Sequence, residues 1–408
     1  MQKKKILFVD DNADVLSSLR RMLRTMRKDW EMEFVGGGRE ALEKLELWQA
    51  DVIVSDIRMP EMDGVELLTE VKARYPRIVR IALSGYTDRE VVLKSVGPTH
   101  QFLAKPCDGD SLKLVITRSC MLQDLLTDPE LLDLVTKIES LPSLPALYLE
   151  VVEELKSPKS SMAKIGEIIS KDISMTAKIM QLVNSAFFGM PQHISNPSQA
   201  ATLLGVDIIK ALVLSVKIFS GFSNQMTDDL DLQRLWNHSN RTSIIAKKIA
   251  SAEKIDKILI DDVFMAGVLH DVGILVLAAN MSDQYRRVLR LVATGKVTLA
   301  KAEQIIFGKT HAQVGGYLMG LWGLPDPIVE AIYFHHNPSE CPSQSIEPVT
   351  FIHIANALES HKFSPDEKPI ESFLDMDYIE KLNLTDRIPV WCEIYRDSEA
   401  SEENEKHE

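Results

Sequence analysis

The periodicity of the apolar residues changes once along this chain, near residue 111, and that change calls for two different folds in series. Up to residue 105, short β-branched runs at 5–9, 33–36, 52–55, 80–83 and 101–104 alternate with stretches such as 13–26 and 64–74, whose apolar residues recur at helical spacing. Strand–helix alternation implies a parallel sheet with helices on both faces. The runs ILFV, VIV and IAL are apolar without interruption, as strands covered on both faces must be. Beyond Ser111 the strand signal stops. A helix is expected through LKLVITRSCMLQDLL toward Pro129, and the prolines of LPSLP at 141–145 punctuate a join. From 146 to 360, stretches such as SMTAKIMQLVNSAF, TSIIAKKIASAE and HAQVGGYLMGLWGL keep the 3.6-residue period, with Pro and Gly at their ends. The expected fold is an α/β doubly wound, five-stranded parallel sheet followed by an all-α domain.

Charge narrows the function. A net charge of −13 leaves no excess of Lys and Arg to neutralise phosphates, which argues against a nucleic-acid-binding protein. Part of that charge sits in DSEASEENEKHE at 397–408, with six carboxylates against one lysine, expected as a solvated, disordered tail. The basic pair at 247–248 reads as an ordinary solvated helix face. Cys107, Cys120, Cys341 and Cys392 show no CxxC spacing and are expected as free thiols in a reducing compartment. MQKKKILFVDD has too short an apolar run for a signal peptide, and no stretch of 18 or more apolar residues marks a membrane span, so a cytoplasmic protein without membrane contact is expected.

In a doubly wound sheet, functional groups collect at the carboxyl ends of the strands. Here the first strand ends in Asp10 and Asp11, the third in Asp56, the fourth in Ser84 and the fifth in Lys105. Three carboxylates at one point repel unless a hard divalent cation such as Mg²⁺ or Mn²⁺ joins them. A lysine and a hydroxyl beside them supply the point charge and the donor that an added phosphoryl group needs. Any one of these Asp residues could instead be a helix cap. Five groups on the correct strand ends are hard to explain that way. FVDDN, SDIRMPEMDG, LSGYTD and FLAKP together resemble the signature of response-regulator receiver domains, over roughly residues 3–125. The resemblance implies a flavodoxin-like sheet, with Asp56 as phosphoacceptor and Mg²⁺ held by Asp10, Asp11, Asp56 and the backbone carbonyl of Arg58. It further implies that Lys105 contacts the phosphoryl group, that Ser84 moves to hydrogen-bond it, and that Phe102 is an aromatic switch. Arg58 and Tyr86 are bulky residues that would flank the acyl phosphate.

The helical half holds its own anomaly. In VLHDVGILVL, at 268–277, a histidine and an aspartate sit in an otherwise apolar run, and a buried carboxylate is costly unless compensated. His238, His311 and the pair His335 and His336 lie on other helices. Five imidazoles and a carboxylate on separate helices suit one or two transition metals in an interior pocket. A lone histidine on an apolar helix is more often a satisfied core residue. LPSLPALYLEVVEEL, IISKDISMTAKIMQLVNSAFFG, AATLLGVDIIKALVLS, LWNHS, AGVLHDVGILVL and LWGLPDPIVEAIYFHH resemble the HDOD branch of the HD phosphohydrolase superfamily, over about 137–345. The resemblance implies a signalling output module and the metal-ligand positions His238, His270, Asp271, His311, His335 and His336. The last aspartate of active HD enzymes is matched in VTFIHIANALES by Asn356, a neutral amide that binds a metal more weakly. HHNPSE also lacks the DGxGYP continuation of cyclic-dinucleotide phosphodiesterases.

These readings divide the chain into a receiver at 1–125, a helical linker at 126–141, an HDOD domain at 142–345, a C-terminal helical extension at 346–395 and an acidic disordered tail at 396–408. The expected function is that of a two-component response regulator in bacterial signalling, phosphorylated on Asp56 by a sensor histidine kinase, with a non-catalytic output toward an unidentified protein partner. The receiver admits a homodimer. The alternative is a phosphorylation-controlled, metal-dependent phosphohydrolase of the HD type acting on a nucleotide or cyclic dinucleotide. Mg²⁺ is expected in the receiver, and at most a single transition metal, Fe or Mn, in the HDOD pocket, held by His238, His270 and Asp271 with help from Asn356. NSAFFG at 184–189 and the methionines are expected to serve packing.

Overall fold

The computed structural model describes residues 3–85, 98–125, 132, 134–136, 138, 145–156, 161–184, 194–214, 231–343, 345–362 and 369–405. Tyr86, most of the linker, LPSLP up to 144 and most of NSAFFG lie outside them. Strands β1 (Lys4–Val9), β2 (Trp30–Val35), β3 (Val52–Asp56), β4 (Val79–Gly85) and β5 (Gln101–Lys105) form a parallel sheet in the order β2-β1-β3-β4-β5. Helices α1 (Ala13–Met22), α2 (Gly38–Leu47), α3 (Gly64–Arg74) and α4 (Gly109–Leu125) connect or follow them. The strand order reverses between β1 and β3, and that switch point opens a crevice at their carboxyl ends. Val9 pairs with Ser55, so Asp10 leaves β1 beside Asp56 at the end of β3.

Strand β2 begins three residues earlier than its apolar residues suggest. It is an edge strand, where one face can stay wet, so charged residues are tolerated. Trp30 is buried, while Glu31 accepts a hydrogen bond from Trp48 Nε1 at 2.8 Å and Glu33 pairs with Lys44 at 3.0 Å.

The remaining chain is helical: α5 (Pro145–Lys156), α6 (Met162–Ser170), α7 (Ile173–Val183), α8 (Pro197–Leu214), α9 (Leu232–Ala252), α10 (Lys257–Leu269), α11 (Val272–Asn280), α12 (Ser282–Val292), α13 (Leu299–Phe307), α14 (His311–Leu321), α15 (Asp326–Phe334), α16 (Pro348–Lys362), α17 (Met376–Lys381) and α18 (Ile388–Glu405). The span Lys257–Asn280 is long and apolar enough to cross a membrane, yet 89% of its most apolar window is buried inside the protein. It is two core helices, α10 and α11, broken at His270 and Asp271.

Helix α16, in the stretch expected as a helical extension, packs against α9, α10 and α15. One expectation needs correction. The tail expected to be disordered from 396 is helical to Glu405. Ser398 is buried and receives a hydrogen bond from Lys248 Nζ at 2.9 Å, and Glu399 pairs with Arg241 at 3.3 Å. Cations on α9, one of them from the pair read as merely solvated, thus offset part of the acidic run's self-repulsion.

The sheet and the helical region touch directly. Arg80 is buried, and its guanidinium donates to the carbonyls of Pro98 at 2.6 Å and Thr136 at 2.6 Å. Gln101 Nε2 donates to the carbonyl of Leu321 at 3.2 Å, and Gln181 Nε2 donates to that of His100 at 3.1 Å.

One close approach holds the helical core together at the His-Asp break. A Cβ on Gly273 would lie 2.0 Å from the carbonyl oxygen of His311, so only glycine lets α11 pass the start of α14. Gly273→Ala should therefore destabilise the helical region by roughly 1–3 kcal/mol, the usual cost of overpacking. Urea unfolding checks this, and an unchanged midpoint would refute the close-packing account.

Candidate functional sites

At the sheet's carboxyl edge, Asp10, Asp11 and Asp56 bring ligand oxygens within 4.8 Å of one another, a geometry suited to a hard cation. Asp10 is buried and Asp11 exposed, so one side of the cluster faces solvent. Lys105 reaches in from the end of β5, with Nζ 2.6 Å from Asp10 and 2.8 Å from Asp56. Burial raises the Asp56 carboxyl above the usual carboxylate range, and Lys105 partly offsets this. Burial also works against the Lys105 ammonium, but its bonds to Asp10 and Asp56 prevail and raise it above an ordinary lysine. Ser84, next to last in β4, is fully buried, and Phe102 is buried on β5. The Arg58 side chain is exposed. The structure thus brings Asp10, Asp11, Asp56 and Lys105 together, with Ser84 and Phe102 on the two neighbouring strands.

In the helical region, Asp271 is the centre of a second cluster. Its Oδ2 lies 3.4 Å from His270 Nε2 and 3.7 Å from His238 Nε2. Its Oδ1 lies 3.2 Å from His311 Nε2 and 3.8 Å from His335 Nε2. His336 Nε2 is 3.0 Å from His311 Nε2, and Asn356 Oδ1 is 3.1 Å from His238 Nε2. All seven positions read from the sequence therefore meet in one place. Two donor groups, His238–His270–Asp271 and His311–His335–His336, flank the one carboxylate.

Helix ends aim these side chains. His270 closes α10 and His335 closes α15, and each ring bonds through Nδ1 to the carbonyl three residues earlier, Gly267 at 2.7 Å and Ile332 at 2.8 Å. Those carbonyls lack intrahelical partners. Using them fixes the tautomer and turns Nε2 inward, where a metal needs it. His311 opens α14 behind a Thr310–Gln313 capping box.

Glu303 is the functional residue that the sequence reading missed. It is fully buried on α13, with Oε2 at 2.6 Å from His311 Nδ1 and 2.8 Å from the His311 backbone N–H, which donates to it. Its signal was legible: it shares the apolar stripe of Ala302, Ile306 and Phe307, where a lone carboxylate needs a partner.

The charges divide accordingly. Burial disfavours the His311 cation, yet Glu303 and Asp271 prevail and raise it to about 10. Burial alone would raise Asp271, but the surrounding imidazoles hold it well below the usual carboxylate range. Burial, helped by neighbouring rings, pushes His270 down to about 4 and His336 down to about 3. His335 Nε2 is buried without a hydrogen-bond partner. Neutral imidazoles at His270, His335 and His336, one nitrogen orphaned, beside an anionic oxygen pair form a donor set that fits a divalent transition metal, and His311 would join it by releasing its Nε2 proton.

The response regulator receiver domain family matches residues 6–117, and the HDOD domain family matches residues 141–338. A Treponema pallidum protein is 29% identical over 235 residues, 58% of this chain and 45% of that one. The hydrogenase transcriptional regulatory protein HoxA of Cupriavidus necator is 35% identical over 158 residues, 38% of this chain and 31% of that one. The chain spans less than half the length of these curated relatives. Among solved structures, the MmoQ response regulator of Methylococcus capsulatus is 19% identical at a TM-score of 0.46, covering 60% of this chain and 98% of that one.

Replacing Glu303 by Ala would leave His311 Nδ1 and a buried N–H unpaired, and breaking a buried pair costs about 3–5 kcal/mol. Glu303→Ala should lower the unfolding free energy by an amount of that order, and Glu303→Gln, which keeps an acceptor, by less. Equal stability of Glu303→Ala and the parent in urea would contradict the buried pair.

Proposed function

We propose that this response regulator, a receiver domain followed by an HDOD domain, is a phosphorylation-controlled binding module. Asp56 takes a phosphoryl group from a sensor histidine kinase, and the HDOD domain then changes what it offers to an output protein. The observation that carries this reading is the placement of Asp56 against Lys105 Nζ at 2.8 Å within a cluster of three carboxylates. The chemistry needed is positioning and charge neutralisation more than covalent assistance. Asp10, Asp11, Asp56 and the Arg58 carbonyl would hold Mg²⁺, which would supply positive charge beside the incoming phosphate. Lys105 then exchanges a carboxylate partner for a phosphoryl oxygen, and Ser84 donates to another. The protein works in the cytoplasm.

The histidine cluster, in this reading, binds a single transition metal, Fe or Mn, through Asp271, and serves structure rather than turnover. Asn356 supports that restraint, because a neutral amide beside His238 offsets less of a dication's charge than a carboxylate. A second reading has one specific observation in its favour. Asp271 turns one oxygen toward each donor group, the arrangement that a two-metal phosphohydrolase uses to generate a nucleophile from water.

Two experiments test these statements. Incubation with acetyl phosphate and Mg²⁺ should add a phosphoryl group to the parent and none to Asp56→Asn; equal labelling of the variant sinks the receiver assignment at its central residue. Metal content and hydrolysis of cyclic di-GMP, with added Mn²⁺ or Fe²⁺, should then be compared between the parent and Asn356→Asp. With the receiver site filled by excess Mg²⁺, the parent should hold at most one transition-metal ion and turn over nothing, and the variant should hold more. Robust hydrolysis by the parent that is lost in His270→Ala would establish the enzyme instead.

A further inference from the structure

The two clusters lie at opposite ends of a continuous set of rods. Lys105, which binds Asp56, ends β5, and Gln101 begins it. Gln101 Nε2 holds the carbonyl of Leu321, the last residue of α14, and His311 of the histidine cluster is that helix's first residue. A second rod runs alongside. Arg118 on α4 pairs with Asp326 at 2.6 Å and also bonds the carbonyl of Leu324. Asp326 opens α15, whose far end leads into His335 and His336. Between the two helices, Gly323 turns the chain at φ +82°, its Cα facing the Gln101 amide. Trp322 in the same turn lies 3.8 Å under the Nζ of buried Lys178. From first residue to last, β5 spans about 13 Å and α14 about 15 Å, at about 3.3 and about 1.5 Å per step.

We propose that the α14–α15 hairpin couples the two centres, so that occupancy at Asp56 and metal affinity of the histidine cluster control each other. The inference rests on the metal reading of that cluster and names its regulation. Both helices present a backbone or side-chain acceptor to the receiver at one end and ligand imidazoles at the other. A displacement of β5 or α4 on phosphorylation is therefore delivered to His311 and His335 together. The donor set is close-packed, with Gly273 against the His311 carbonyl, and cannot absorb it by local give. Coupling between binding sites is reciprocal, and position between two sites is not by itself proof of coupling, so a cycle of measurements is required.

The probes are beryllofluoride, as a stable phosphoryl mimic, and Zn²⁺, in excess Mg²⁺ so that the receiver's own cation site is filled. Zn²⁺ affinity of the full chain should change by at least about fivefold when beryllofluoride is bound. Beryllofluoride affinity should change by the same factor when Zn²⁺ is bound. Gln101→Ala combined with Arg118→Ala should bring both factors close to one while each ligand still binds alone. Smaller changes in the parent, or full coupling in the double variant, overturn the hairpin route while leaving the metal reading intact. If no Zn²⁺ binds, the metal reading falls. Hydrogen exchange at 311–336 with and without beryllofluoride then decides the coupling: changed rates that revert in the double variant uphold it, and identical rates refute it.

Discussion

The carboxylate of Asp271 is the constraint around which the helical half is arranged. A buried charge is retained only where neighbours compensate it. Here the compensation comes from four other elements: α9 with His238, α10 with His270, α14 with His311 and α15 with His335. To bring them together, the α10–α11 rod must break at the His-Asp pair, and α11 must pass α14 at a distance only Gly273 allows. Glu303 then completes the electrostatics from α13, meeting His311 Nδ1 while Asp271 lies against Nε2. Packing and charge are the same problem here, since the helices that surround the centre supply its polar groups as well as apolar burial.

The receiver half solves a similar problem with less protein. Asp10 and Asp56 come from adjacent strands and are compensated by one side chain, Lys105, while Asp11 stays in water. One face of that cluster is left open, as chemistry with an incoming phosphodonor requires. The histidine cluster keeps His270, Asp271, His311 and His335 buried, while His238, His336 and Asn356 reach the surface.

Much of this was legible in the sequence because it depends on local period. Continuous apolar runs gave the central strands to within a residue or two, and strand ends gave Asp10, Asp56, Ser84 and Lys105. The five histidines and Asp271 stood out as polar residues on apolar helices, but Asn356 and the meeting of all seven were legible only through resemblance to a family. Three features escaped for physical reasons. Strand β2 lies at the sheet's edge, so Glu31 and Glu33 obscure where it starts. Helix α18 follows an acidic run whose neutralising partners, Arg241 and Lys248, are about 150 residues away in sequence. Glu303 was passed over because a glutamate on a helix with Lys301 and Gln304 looks solvated until its register against Phe307 is considered.

Helix α14 shows how the two halves depend on one another. A helix leaves unpaired N–H groups and positive potential at its start, and unpaired carbonyls and negative potential at its end. At its start, Glu303 accepts from the His311 N–H and Asp271 lies against the His311 ring, so anionic groups meet the positive end. At its end, the carbonyl of Leu321 is taken by Gln101 of the receiver sheet, and Lys178 lies over Trp322, the residue that caps the helix. The receiver therefore completes the end of a helix that the HDOD domain cannot complete alone. Because Gln101 reads a backbone carbonyl, the contact fixes where the helix end is and not which side chain it carries. A sheet that shifts by even a fraction of a hydrogen bond's length must either carry α14 with it or leave a buried carbonyl unmet, and the second costs about 1–3 kcal/mol. That cost is comparable to the whole energy by which switching proteins distinguish their states.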